Sequence, residues 1–431
     1  MILCLSNSVA RGILLFVAVA VAVTLSFYSI RNARAEFQAS LGTPEGYARA
    51  TQLEPGNSRN WYLLGEYWQD NLEQPDSQRA IQAYQAALSF DPRSANAWLE
   101  LGTAYESEGD LANARKSFLE AKRAYPVSAE ISWRYGNFLL RQGELDKAFE
   151  EIRRAVEADP KRGGEAFSRC WHADPDLELI LNRVLPPSRD VYLDVIRDLV
   201  AERKTEEALE VWSRLEALHP RLVLRDVFPL ADRLMETFQL AAAWRVWSQA
   251  MRLTELPPLL DPEGSVVWDG SFESSVTGGG FAWSYPPAYE GVQTRLDHQE
   301  RRSGIQSLRF QFDGKRNVNF EYACVNALVQ PSTAYRFSAW VRTKALTTDQ
   351  GVRFKLYPVG IPGAPALVTR DVRGSEPWTQ IATSWTAEKN ARGVRICVAR
   401  SASENVDNQI QGTAWVDDVA LIPDRSGNAK P

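Results

Sequence analysis

Three textures follow one another along the chain. From Gly12 to Ile30, nineteen consecutive residues carry no charge, close to the roughly 20 apolar residues that cross a bilayer as a helix. From Trp61 onward apolar positions recur at helical spacing, and the pattern itself then repeats. Trp98, Leu101, Gly102 and Tyr105 are followed by Ala114, Phe118, Ala121 and Pro126; at the same offsets, 34 residues on, stand Tyr135, Gly136, Leu139, Ala148, Ile152, Ala155 and Pro160. An earlier copy reads Trp61, Leu64, Gly65, Trp68, then Ala80, Tyr84, Ala87 and Pro92, with three extra residues between Glu73 and Ser77. Beyond the proline-rich stretch that starts at Leu256 the period changes to two: Leu308, Phe310 and Phe312 alternate with polar residues, as do Tyr335, Phe337, Ala339 and Val341, then Val352, Phe354 and Leu356. Such runs between Gly, Pro and Asn punctuation predict an antiparallel all-β domain.

Each copy of the 34-residue pattern reads as two helices. Gly102 and Gly136 leave room where the first helix approaches the second, Tyr84, Phe118 and Ile152 fill the space between copies, and a proline stops each second helix because the preceding residue is driven out of the helical region. One helix pair cannot bury its apolar face alone, so stacking supplies the core. Tyr47, Ala50 and Pro55 have the spacing of a half-copy beside the apolar run. Tyr192, Leu199, Ala208, Trp212, Leu215 and Pro220 fit a fourth copy; Leu230, Leu234, Ala243, Trp247 and Ala250 fit a fifth. Between Lys161 and Ser188 the register is lost, and either a distorted copy or a hinge accounts for it.

This array resembles the tetratricopeptide repeat family. The resemblance implies a helical solenoid over 36–257, clear at about 58–160 and degenerate at about 189–257, whose first helices line a concave groove. The groove positions are Arg59, Tyr62, Glu66, Gln69, Asn96, Leu99, Thr103, Glu106, Trp133, Asn137 and Arg141. Some members of the family clamp a terminal carboxylate with Lys, Asn and Arg; Tyr62 and Glu66 stand at two of those positions, so that use is not expected. The expected ligand is a protein or peptide.

The β region carries a second resemblance. Asp269-Gly270-Ser271-Phe272-Glu273, Ser303 to Leu308, Ala334 to Val341, Pro377-Trp378 and Thr413 to Leu421 occur in this order. This is similar to the jelly-roll carbohydrate-binding modules of xylanases and laminarinases, within the galactose-binding-like fold. It implies a sandwich over 265–424, after a linker at 258–264 and before a tail at 425–431. It also implies a structural calcium held by Glu273 and Asp417, against which stands a plain hydrogen-bonded edge. Asp417 is read on the same strand face as Trp415, Val419 and Leu421, where a buried carboxylate needs a cation or donors.

For a glycan, the outward residues of two strands are candidates: Arg336, Trp340 and Arg342 on one, Arg353, Lys355 and Tyr357 on the other. Trp283, Tyr285 and Tyr289, after Gly278-Gly279-Gly280, would close one end; Trp378 and Trp385 are expected in the core. Arginine forks suit carboxylates, so an acidic polysaccharide fits best, with a merely solvated face as the bland alternative. Cys324 and Cys397 fall in predicted strands and are a candidate disulfide for an exported domain, the alternative being two buried thiols. Cys4 and Cys170 have no evident partner.

Composition narrows the function. The chain has 431 residues and a formal net charge of -5. Residues 36–257 hold 27 basic and 36 acidic residues, while 258–431 hold 19 and 18. An acidic array is a poor nucleic-acid carrier. His172, His219 and His298 are the three histidines, too few and too scattered to suggest a metal enzyme, and no nucleophile-elbow or phosphate-loop pattern occurs. The expected protein is therefore non-enzymatic and multidomain: a transmembrane helix, an all-α solenoid and an all-β jelly roll. It would be an exported adaptor binding a protein through the solenoid and a glycan or envelope component through the sandwich, in surface polysaccharide assembly or export. A protein-only scaffold is the alternative, and a two-carboxylate glycoside hydrolase a remote one. Ala33-Arg34-Ala35 resembles a signal-peptidase site, but the length of the apolar run favours an uncleaved anchor with the bulk of the chain exported; cleavage after Ala35 would release it.

Overall fold

The computed structural model describes residues 8–71, 75–254 and 264–424. The chain divides into two compact units, Met1–Pro186 and Pro187–Pro431.

The first unit is helical: α1 (Ser8–Ser40), α2 (Pro44–Leu53), α3 (Ser58–Asp70), α4 (Ser77–Phe90), α5 (Ala95–Ser107), α6 (Leu111–Ala124), α7 (Ala129–Arg141), α8 (Leu145–Ala158), α9 (Gly163–Ala173) and α10 (Leu177–Arg183). Starts are written locally. Thr43, Asp76, Ser94, Asp110 and Ser128 each accept a hydrogen bond from the third amide of the helix that follows, a cap contributing about 1 kcal/mol. Helix pairs pack as the repeat pattern requires. A Cβ added at Gly65 would lie 2.5 Å from the Tyr84 ring, at Gly102 3.1 Å from Phe118, and at Gly136 2.7 Å from Ile152. The stretch where the register is lost forms two short helices, α9 and α10.

The apolar run lies within α1, and Arg11–Ser40 is long and apolar enough to cross a membrane or to serve as a signal sequence. The helix does not end with the run. It continues unbroken to Ser40 and buries Ala35 and Ala39 where α2 packs against it. The half-copy at Tyr47 is thus completed by the end of the apolar helix. Cleavage after Ala35 would cut within this packed helix.

Among the described residues the second unit holds four more α-helices, α11 (Arg189–Ala201), α12 (Thr205–Ala217), α13 (Phe228–Glu236) and α14 (Leu240–Leu253), together with the β region. The boundary drawn near 257 separates helix from strand, but it does not separate one compact unit from the next. All of the linker except Gly264 lies outside the described residues, as do the tail at 425–431 and Cys4.

The strands are β1 (Ala288–Tyr289), β2 (Val292–Asp297), β3 (Ser307–Asp313), β4 (Phe320–Leu328), β5 (Ala334–Lys344), β6 (Arg353–Val359), β7 (Leu367–Val368), β8 (Thr379–Thr386), β9 (Gly393–Arg400) and β10 (Gln411–Pro423). They form two antiparallel sheets, ordered β1-β2-β3-β10-β5-β8 and β4-β9-β6-β7. Phe310, Phe337, Val341, Phe354, Ile396 and Val416 belong to one shared core. Trp385 is buried on Tyr335 as expected, whereas Trp378 is only half-buried.

The last helix pair is fused to this domain by aromatics. Trp247 of α14 is fully buried among Phe228, Trp268 and Phe281, with centroids 5.9, 5.4 and 5.9 Å away. Gly280 approaches so closely that a Cβ there would sit 2.1 Å from the indole. Asp232 of α13 accepts the Gly280 amide at 2.6 Å, and Leu240 fills the space over Gly393. The glycine run 278–280, read as a loop closing a sugar site, instead seats a helix pair.

Candidate functional site

Two surfaces bear on function, one in each unit. On the first, α3, α5, α7 and α9 contribute polar side chains that are joined from copy to copy. The Gln69 amide donates to Glu100 at 2.9 Å; Arg134 reaches both Glu100 oxygens at 2.9 Å and Glu130 at 2.7 Å; Arg162 continues to Glu130 at 2.8 Å. Arg141 grips Glu106 through two bonds of 2.7 and 2.8 Å. Trp133 is buried under Arg162 and Arg169, each guanidinium 5.3 Å from the ring, and Arg169 also donates to Asn137 at 3.0 Å. Most of the anticipated residues do meet on this face. Leu99 does not: it is buried between copies with Phe118, Ile131 and Tyr135. Arg59 pairs with Glu36 of α1 at 3.5 Å, Asn96 is exposed, and the Thr103 hydroxyl donates to the Leu99 carbonyl.

Electrostatics distinguish the ends of this face. Burial raises the Glu66 carboxyl above its usual range although the Tyr62 hydroxyl donates to it, and Glu100 and Asp70 add to the rise. Glu130, despite burial, is held low by Arg134 and Arg162.

Residues 69–129 and 114–162 match the tetratricopeptide repeat family. This stretch carries tetratricopeptide repeats. The chain is 34% identical over 85 residues to protein bimA of Emericella nidulans, covering 20% of this chain and 10% of that protein. It is 29% identical over 127 residues to tetratricopeptide repeat protein 37 of Xenopus laevis, covering 29% and 8%. It therefore spans about a tenth or less of these curated relatives. Among solved structures, YrrB, a TPR protein with an unusual peptide-binding site, is similar at 16% identity, with 49% of this chain and 93% of that one covered and a TM-score of 0.27.

The second surface is the outer face of the six-stranded sheet. The β candidates are distributed differently. β5 is flanked by β10 and β8, while β6 lies in the other sheet between β9 and β7. Arg336, Trp340 and Arg342 are therefore on the opposite face of the domain from Arg353, Lys355 and Tyr357, and the two sets cannot form one site. Arg353 pairs with Asp371 at 3.3 Å and Lys355 with Glu321 at 2.6 Å, and Glu321 also bonds Tyr357. Trp283 is a core residue against Phe272, its indole N–H on the Asp269 carbonyl at 3.0 Å. Tyr285 packs partly buried on the core, and the Tyr289 ring lies tilted against Tyr322 with centroids 3.9 Å apart.

On the six-stranded face Trp415 lies opposite Arg309 and Arg342. An open polar cavity of about 900 Å³ lies here, lined by Glu300, Arg309, Gln311, Arg342, Lys344 and Thr413 among others. The tryptophans of this sheet face, Trp415 in the cavity wall and Trp340 outside it, are already covered. Trp415 donates to Asp297 at 2.9 Å and carries Arg309 at 5.9 Å, and Arg302 sits 4.0 Å over Trp340. Arg342 pairs with Glu300 at 3.4 Å. Residues 298–306 thus fold across the sheet, and their contribution was missed because nothing in local spacing joins Arg302 to Trp340.

Trp415 and Asp417 share the outer face, but Val419 and Leu421 face the core. A register shift between Asp417 and Ala420, with Asp418 at φ 48°, reverses the alternation, as a bulge does. Asp417 is nonetheless fully buried, because the amides of Arg302, Ser303 and Asp418 close on it at 2.8, 3.2 and 2.9 Å. Glu273 accepts the Ile305 amide at 3.0 Å, and Asp269 accepts those of Glu273 and Ser274 at 2.7 and 3.0 Å. Burial pushes both Asp269 and Asp417 up to about 7. Among the described residues no three His, Cys, Asp or Glu gather to hold a metal. A calcium shell needs six or more oxygens; in the described structure Glu273 and Asp417 accept main-chain amides.

Cys324 and Cys397 are paired across β4 and β9 in a disulfide, while Cys170 is a buried free thiol.

Proposed function

We propose that this chain is a non-enzymatic adaptor, anchored by α1 with the remainder exported, whose tetratricopeptide groove takes a segment of a protein partner. The observation that carries the reading is the continuous polar and aromatic surface running over α3, α5, α7 and α9. A solenoid commonly uses such an extended surface for binding. Export is supported by the Cys324–Cys397 bridge, since disulfides persist in oxidising compartments.

A second element of the reading is a glycan or other envelope component on the β domain, supported by the open cavity of about 900 Å³ that Arg309, Arg342 and Lys344 help to line. An acidic polysaccharide fits these cations, and surface polysaccharide assembly or export is the setting it suggests. The full chain in detergent micelles, run through native gels containing anionic or neutral polysaccharides, tests this. Retardation by an anionic polymer, lost in Arg342→Ala with Lys344→Ala, supports it. Equal mobility in every gel sinks the glycan and leaves a protein-only scaffold. For the groove, binding to a peptide array that weakens at least tenfold in Trp133→Ala is the expected result.

A further inference from the structure

The corner of the groove formed by α3, α4 and α5 differs from the rest. Tyr62, Glu66 and Gln69 stand at i, i+4 and i+7, hence on one face of α3. Behind them Tyr84 of α4 is fully buried, its ring filling the gap left by Gly65 and 5.8 Å from the Tyr62 ring. Two polar atoms are stranded here: the Tyr84 hydroxyl and the Gln69 side-chain oxygen are buried with no hydrogen-bond partner among the described residues. Each such atom costs about 1–3 kcal/mol while it stays unmet. The Tyr84 hydroxyl lies within electrostatic range of Glu100, Tyr62, Glu66 and Asp70, so it belongs to the same corner.

Elsewhere on this face carboxylates are matched by arginines of the chain itself: Glu100 by Arg134, Glu106 by Arg141, Glu130 by Arg134 and Arg162, Glu165 by Arg169. Glu66 has the Tyr62 hydroxyl and, among the described residues, no cation in a salt bridge. Arg134, the cation in range of Tyr62, is committed to Glu100 and Glu130. At the equivalent positions of the next copies Thr103 and Asn137 replace Glu66, and Leu99 and Trp133 replace Tyr62, so the arrangement occurs once in the three clear copies. The unmet groups can all act as acceptors: a carboxylate, an amide oxygen and a hydroxyl oxygen. A guanidinium carries five donors in a planar fork and stacks on aromatic rings, which a lysine ammonium does less well.

We propose that this corner is a receptor for an arginine side chain of the protein partner, with Glu66, the Gln69 oxygen and the Tyr84 hydroxyl as acceptors and Tyr62 as the flanking ring. The proposal rests on the reading of the groove as a protein-binding site.

The test uses the full chain in micelles and an array of decapeptides with randomised flanks and one fixed central residue, arginine, citrulline, lysine or alanine. Citrulline keeps the shape and removes the charge. Arginine peptides are expected to bind at least tenfold better than their citrulline counterparts. Glu66→Gln should abolish that preference, and Tyr84→Phe, which deletes only a stranded hydroxyl and so leaves the fold intact, should reduce it severalfold. Equal binding of arginine and citrulline peptides, or a preference unchanged in both variants, overturns the receptor while the groove reading stands. Failure of the unaltered chain to bind any peptide overturns both.

Discussion

The junction at Trp247 makes a quantitative prediction about how the second unit folds. Its indole is enclosed by Phe228, Trp268 and Phe281 and lies against Gly280, and no part of it reaches solvent. Truncation to alanine removes a large buried aromatic at a site that cannot collapse, because its walls come from both α13 and the β domain. Changes of this kind cost about 3–5 kcal/mol, or roughly two to four orders of magnitude in the opening equilibrium at 1.36 kcal/mol per decade. If α13, α14 and the sandwich are one cooperative unit, amide hydrogen exchange in β3, β5 and β10 should accelerate by the same factor as exchange in α14. Exchange in α5 to α8, in the other unit, should not change. The reasoning fails if α14 alone loses protection while the strands exchange at their original rate, since helix pair and sandwich would then be independent. Trp247→Phe offers a graded control. The indole N–H is buried without a partner among the described residues, so phenylalanine also removes an unmet donor and should cost clearly less than alanine.

Further outcomes follow from other positions. Replacing Cys324 and Cys397 with alanine opens a cross-link spanning 73 residues; chain entropy sets the loss at about 4 kcal/mol, read as a lower urea midpoint that reductant reproduces in the unaltered chain. Gly136→Val would put a Cβ 2.7 Å from Ile152 Cγ1 and should cost at least about 1–3 kcal/mol, visible as faster exchange in α7 and α8. Asp269 and Asp417 titrate near 7 when folded but near 3.9 when unfolded. The unfolded chain therefore releases these protons first as pH rises, and their stabilising contribution, full below about pH 4, is lost as pH passes through 7. Asp269→Asn with Asp417→Asn should flatten the fall in urea midpoint between about pH 4 and pH 7, and an unchanged slope would count against the assignment.

The repeats were legible because their determinants are local and periodic. Gly65, Gly102 and Gly136, the aromatic or aliphatic fillers 16 to 19 residues later, and the terminal prolines each answer to contacts within one copy or its neighbour, so spacing alone placed α3 to α8. The half-copy at Tyr47 could be seen for the same reason, although only the fold showed that its partner is the end of α1. The groove ladder was half legible: Glu100 and Arg134 differ by 34 residues, a register signal, but which residues of the first helices turn outward depended on packing, and Leu99 went inward.

In the β region, period-two alternation located the long strands and left their neighbours undetermined. Arg342 and Arg353 are eleven residues apart in sequence and lie on opposite faces of the domain, because β5 and β6 pair with β10 and β9 rather than with each other. The bulge after Asp417 reversed a face that strict alternation would have extended. The sequence by itself determined which segments are helix and which are strand, and that an uncharged apolar run precedes them, because backbone preference and apolar period act over neighbouring residues. Tertiary structure decided that Trp247 joins the last helix pair to the sandwich, that Arg302 covers Trp340, and that Glu66 has no arginine in a salt bridge among the described residues. Those outcomes depend on which distant surfaces come within a few ångströms, and sequence spacing carries no record of that.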